Sequence, residues 1–349
     1  MAIKFQNLKQ KISRTRPKGY AYPIGLSYQK TDTVEEPNNF ITQTNATLTS
    51  YNTPEGDKIA LTWTSTGTFE QNSSSAMTGC DLLIVAGGGG GWPQGPGGGG
   101  QAGGGAGGLI YYSDSPGDAP PSPVYSSNTK TANGSALGIA ANVNYAVTVG
   151  GGGGGNAPGS DSSWINVSAS VASPYHLSFT ALGGGGGRGA PGGSGAGAYG
   201  TPVGLGTAGQ GNPGSPASPP GYIGGAGGGA GGVGSLHPDP SPMSGKDGNP
   251  APPSIDKRGS GGNGLDFSIS GTQRTYAAGG GGSGRGNFGY GGSDGLGGSG
   301  LNAPAPYPRN ATVNRGSGGG GGPAPNVGSG SGGVVILSVP KGGSDYRIN

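Results

Sequence analysis

The sequence predicts an all-β protein in which short antiparallel strands feed a bundle, or sandwich, of polyglycine II helices, with essentially no α-helix. Three observations carry this expectation. Good strands run directly into glycine blocks: "DLLIVAGGGGG" at 81–91, "YAVTVGGGGGG" at 145–155 and "LSFTALGGGGG" at 177–187. Glycine supplies 87 of the 349 residues and proline 30, far above the content of an ordinary domain. No segment carries a helical apolar period, and such glycine density opposes helices throughout.

Residues 1–40 read as a basic, extended arm. Lys4, Lys9, Lys11, Arg14, Arg16, Lys18 and Lys30 precede the first acid, Asp32, which leaves 12 basic residues against 16 acidic ones in the rest of the chain. A basic arm therefore leads a weakly acidic body. Its Phe5, Tyr20, Tyr22, Pro23 and Tyr28 suit anchoring on another protein better than a simple polycation would. A solvated tail and a nucleic-acid contact are the other readings.

Residues 41–86 follow as a β-strand lead-in. "KIALTWTSTGTFEQ" (58–71) is rich in β-branched and aromatic residues, with Gly67 marking a turn. "CDLLIVA" (80–86) is almost continuously apolar, the mark of a strand covered on both faces. From 87 to 340 glycine zones alternate with edge strands. The strands are "GLIYYS" (108–113), "NYAVTV" (144–149), "SWINVSAS" (163–170), "YHLSFTAL" (175–182), "LDFSIS" (265–270), "RTYAA" (274–278) and "GGVVILSVP" (332–340). Residues 341–349 form a short tail.

A side-chain core is hard to build from 30% hydrophobic and 7% aromatic residues. Each glycine also loses more backbone entropy on folding than any other residue. Consecutive glycines, however, adopt a threefold extended helix with about 3 residues per turn and no internal hydrogen bonds. Every N–H and C=O then points sideways and needs a partner. Neighbouring glycine helices supply it, because no Cβ holds the backbones apart, and weak Cα–H···O contacts add to the packing. Alanine and serine in "AGGGAGG" and "GGSGAGAYG" face outward or fill small gaps. The rise of such a helix is close to that of a strand, so the chain passes from sheet to glycine bundle without turning. Valine within Gly183–Gly187 should then be highly destabilising. The runs of four to six glycines break the triplet of collagen, and the aspartates of calcium-binding nonapeptide arrays are missing.

The ordered series "TSTGTFEQ", "CDLLIVAGGGGG", "GGGGQAGGGAGGLIYYS", "YAVTVGGGGGG", "ALGGGGGRGAPGGSGAGAYG" and "GSGSGGVVILSVP" spans about residues 58–340. It resembles the glycine-rich domain of bacteriophage tail-fibre and other virion proteins. More loosely, it resembles the polyglycine II tip adhesins of T-even-like phages. The resemblance implies a rigid module that presents loops to a host glycan or surface protein, and a homotrimer if the chain builds a fibre. The long proline-rich insertions and the arm depart from the adhesin pattern.

Side chains capable of binding gather where glycine excursions reverse. The first reversal is "WPQGP", with Trp92 and Gln94. The second is "GAYGTPVGLG", with Tyr199. The third is "SGRGNFGYGG", with Arg285, Phe288 and Tyr290, and the fourth is "APAPYPRN", with Tyr307 and Arg309. Aromatic residues on rigid turns suit sugar stacking or protein contact; capping the bundle ends is the plainer role. The Arg-Gly pairs at 188–189 and 285–286 are too sparse for an RNA-binding tract.

No catalytic constellation, nucleotide motif or cofactor site is expected. His176, His237 and Cys80 are too few for a zinc site, so no metal is expected either. No apolar run reaches the roughly 18 residues of a membrane span. The N-terminus lacks the apolar stretch of a signal peptide, which predicts synthesis in a host cytoplasm and, with the resemblance, a place on the virion. The leading expectation is a structural virion protein, tail-fibre or adhesin-like. A capsid or head-fibre decoration protein is the alternative, and an ice-binding slab the third reading.

Overall fold

The computed structural model describes residues 40–54, 56–72, 76–94, 100–112, 137–168, 178–199, 202–217, 224–235, 259–284, 287–300, 309–341 and 347–348. The arm residues Lys4 to Tyr22, and both histidines, lie outside them. Nine strands come first: β1 (Phe40–Thr53), β2 (Gly56–Asn72), β3 (Met77–Val85), β4 (Pro93–Gln94), β5 (Leu109–Tyr112), β6 (Leu137–Ile139), β7 (Val143–Thr148), β8 (Ser162–Asn166) and β9 (Phe179–Ala181). Then follow β10 (Leu265–Phe267), β11 (Arg274–Tyr276), β12 (Ser283–Gly284), β13 (Asn287–Phe288), a single helical turn α1 (Gly292–Gly295), β14 (Gly322–Pro323), β15 (Val334–Pro340) and β16 (Arg347–Ile348). Apart from α1 the described chain is all-β or irregular, as the composition predicts.

Ten strands form one sheet, with the path β5-β3-β15-β2-β7-β8-β9. Strand β2 organises it. Its first half lies between β1 and β15, and its second between β1 and β7. The change falls at residues 64–67, where the register against β1 jumps from Thr44↔Thr68 to Ala46↔Trp63. Gly67 is therefore not the turn expected of it; it sits in a bulge within a continuous strand. Its role is close approach. A Cβ there would strike the Thr44 carbonyl oxygen and the Trp63 indole, whose Nε1 donates to that same oxygen at 2.8 Å.

The two ends of the path curl together into a nearly closed, barrel-like sheet. Tyr112 of β5 meets Phe179 of β9 with ring centroids 4.1 Å apart. Inside, Trp63, Phe69, Tyr145 and Trp164 pack edge to face, tilted or stacked, with Tyr145 and Trp164 at 4.5 Å. Strand β3 is covered on both faces, as its apolar run predicts. Leu82 and Ile84 join the inner aromatic core, while Leu83 and Val85 join a second core with Phe267 and Tyr276 of the β10–β11 hairpin.

Burial pushes the Tyr145 phenol up to about 12, and the neighbouring Cys80 adds to the rise. In the unfolded chain the phenol ionises near 10, so the unfolded state releases its proton first. This contribution to stability is complete below about pH 10 and is lost as pH climbs towards about 12. The Tm should fall more steeply over that window than in a Tyr145→Phe variant; equal slopes would refute the assignment.

The glycine segments hold together chiefly through backbone hydrogen bonds. Donors along Gly87–Trp92 address three neighbours in rotation. Gly87 and Gly90 donate to Ser160 and Ala157, Gly88 and Gly91 to Ser331 and Gly328, and Gly89 and Trp92 to Gly105 and Ala102, all at 2.8–3.0 Å. Along Gly103–Gly108 the same rotation recurs: 103 and 106 reach 225 and 228, 104 and 107 reach 319 and 316, and 105 and 108 reach 185 and 182. A period of three in the donor direction is the neighbour pattern a threefold glycine helix requires; a strand alternates with period two. Almost every buried glycine here would drive a Cβ into a neighbouring carbonyl. Ala102, Ala106, Ala196, Ala198, Ala226 and Ala230 are buried rather than outward-facing. Buried serines act as substitute acceptors, as where Ser215 Oγ accepts from Ala226 N at 2.8 Å and Ser331 Oγ from Ser317 N at 2.9 Å.

Candidate functional site

A long glycine run offers no side chain until it ends. In the excursions between β3 and β5, between β7 and β8, and after β9, the run leaves the sheet and ends at a turn. The first side chains encountered are Trp92 after Gly87–Gly91, Asn156 after Gly150–Gly155 and Arg188 after Gly183–Gly187. Pro323 plays the same part after Gly318–Gly322. These turns are bound to one another. Asn156 N donates to Gly91 O at 2.8 Å, Gly187 N to Gly90 O at 3.0 Å, and β4 pairs in parallel with β14. The chain thus has a reversal end, built from the tips of its glycine segments.

At that end three side chains converge. The Arg188 guanidinium lies 5.9 Å from the Trp92 ring centroid and 5.6 Å from that of Tyr199, within cation–π range of both. Arg188 Nε donates to the Tyr199 carbonyl at 2.9 Å. Trp92 and Tyr199 are half-buried, whereas Arg188 is exposed. The turn that aims Arg188 needs glycine at 187, whose φ is +67° and where a Cβ would meet Asn156 Oδ1 and, at 3.3 Å, the Trp92 ring.

Arg315 offers a contrast at the sheet end. It stands 5.3 Å from the Tyr276 ring, and its Nη1 donates to Thr275 O at 3.1 Å. Burial lowers its pKa. Burial raises that of Tyr276, with the Arg315 charge acting in the opposite sense. That arginine is a half-buried staple between two segments; Arg188 faces solvent.

The other expected site residues scatter. Arg309 is half-buried, its Nη1 donating to Asn326 O at 2.8 Å in the turn after β14, so it also belongs to the reversal end. Tyr290 is half-buried beside β13, and its carbonyl accepts from Gly261. For Gln94 and Phe288 only the backbone is described: Gln94 pairs with Pro323, and Phe288 with Ser283. Arg285 and Tyr307 lie outside the described residues. The structure therefore joins Trp92 to Tyr199 and supplies Arg188, which the sequence marked only as a sparse Arg-Gly pair. The signal was present in its position as the first side chain after five glycines.

Lys58, Lys341, Arg274 and Arg315 share the sheet and the β10–β11 hairpin with the described carboxylates, whereas the described charges of the reversal end are cationic. Among the described side chains, the carboxylates Asp57, Glu70, Asp81 and Asp161 lie in or beside the large sheet and Asp266 in the β10–β11 hairpin, while the reversal end carries Arg188 and Arg309. No cluster of His, Cys, Asp and Glu among the described residues is arranged to hold a metal ion.

The fold is an all-β module whose large sheet carries closely packed glycine segments. Residues 64–340, most of the chain, match the glycine-rich domain family, and the chain belongs to it. No curated protein and no solved structure matches it.

Proposed function

We propose that the chain is a structural protein of a bacteriophage particle, tail-fibre or adhesin-like, rather than an enzyme. In this reading the basic, aromatic arm anchors it to other virion proteins, and the glycine-built body carries the reversal end out towards a host surface. The observation that carries the proposal is the gathering of Trp92, Asn156, Arg188 and Tyr199 at the end of glycine segments that pack on one another through their backbones. A scaffold with so few free side chains along its segments concentrates recognition chemistry at its turns. The resemblance of its ordered glycine series to virion domains supports the setting.

Purified chain added to susceptible bacteria should bind saturably and reduce phage adsorption. Deletion of residues 2–30 should leave that binding intact while preventing incorporation into particles. Absence of cell binding at saturating protein would overturn the receptor role and favour a decoration protein. Normal incorporation without the arm would overturn the anchor.

A further inference from the structure

We propose that Trp92, Arg188 and Tyr199 form a binding site for an acidic saccharide, in which the guanidinium takes the anionic group and the flanking rings take the sugar. The inference rests on the reading of the reversal end as a recognition surface, and it names the ligand chemistry.

Four observations lead to it. Arg188 is exposed, so its charge is not consumed in the fold as that of Arg315 is. Among the described residues its hydrogen bond is from Nε to the Tyr199 carbonyl at 2.9 Å, which fixes the guanidinium plane and leaves the Nη edge for a ligand. That edge presents parallel N–H groups suited to a carboxylate or phosphate. The two rings at 5.6 and 5.9 Å give half-buried aromatic surface beside the charge, and aromatic faces stack on the C–H faces of sugars. Finally, the described carboxylates lie away from this end while Arg309 shares it, so the local field favours an anion. A neutral sugar would leave the guanidinium unused; a bare anion would leave the rings unused.

Titration calorimetry of the full chain with three probes tests this: oligogalacturonate, the same oligomer methyl-esterified, and inorganic phosphate. The acidic oligomer should bind about tenfold or more tightly than the ester, the difference a charge-assisted pair supplies, and more tightly than phosphate. Its affinity should fall with salt. Arg188→Gln should lose that binding and Arg188→Lys most of it, with both variants still unfolding cooperatively. Tyr199→Leu should weaken the acidic oligomer without improving phosphate. No binding of the acidic oligomer, equal binding of its ester, or undiminished binding by Arg188→Gln would each overturn the inference. Phosphate binding as tightly as the oligomer would overturn the saccharide. If the chain still binds cells when the acidic oligomer fails, the proposed function stands and only this inference falls.

Discussion

Alanine in place of Gly184 is expected to cost about 3 kcal/mol or more of folding stability, an effect at the upper end for adding one carbon to a packed interior. Gly184 is buried where three segments meet. Its N–H donates to Gly87 O at 2.9 Å, and its carbonyl accepts from Gly159 at 3.0 Å. A Cβ there would collide with the Gly105 carbonyl oxygen and, at 2.6 Å, with the Ala106 carbonyl group. These obstacles are backbone atoms, which have no rotamer to move into. To relieve the clash the segments must part, and hydrogen bonds to both neighbours lengthen together. Gly154 provides the control, because nothing lies within 4 Å of a Cβ built there. Gly154→Ala should fall within about 0.5 kcal/mol of the parent, or stabilise slightly by restricting the unfolded chain. Denaturant unfolding of the two variants decides the matter: equal destabilisation would show that steric exclusion within a backbone core is not what makes glycine necessary.

The second large effect concerns a charge pair in the sheet. Lys58 Nζ and Asp81 Oδ2 are 2.6 Å apart, with their side chains 9% and 4% exposed. They project from β2 and β3 on either side of the end of β15. Asp81→Ala takes the carboxylate at 2.6 Å away from a buried ammonium and should cost about 3–5 kcal/mol. Replacing both partners, as Lys58→Met with Asp81→Leu, should recover most of that loss, since the cost comes from stranding one charge rather than from lacking a pair. A double variant as unstable as Asp81→Ala alone would contradict this account.

Much of the fold was legible in local sequence. The apolar run at Leu82–Val85 reads as a strand covered on both faces because nearly every position is apolar, and the two cores on either side of β3 follow from it. The glycine blocks read as a backbone interior because no other ordered use suits so many of them. Gly67 was misleading for a physical reason. Glycine serves turns and close approaches alike, and only the position of Trp63 beneath it distinguishes the two. The turn at α1 gave no signal, since "GSDG" carries no helical period. The convergence of Trp92, Arg188 and Tyr199 was only half legible. That Trp92 and Tyr199 lie at reversals follows from the glycine runs around them. That they share Arg188 depends on which segments are neighbours in the bundle, and segments without side chains carry no code for choosing neighbours.

The rotation of hydrogen-bond partners along Gly87–Trp92 also fixes the unit in which this protein can change length. One extra residue would turn every later donor by a third of a revolution, away from its acceptor and towards a different segment. Three extra residues in every segment that the run touches would restore the pairings and move the reversal end outward as a unit by about 9 Å. The height of the reversal end above the sheet is thus set in steps of three residues, and the neighbouring segments must take a step together if Trp92 is to keep its place beside Arg188.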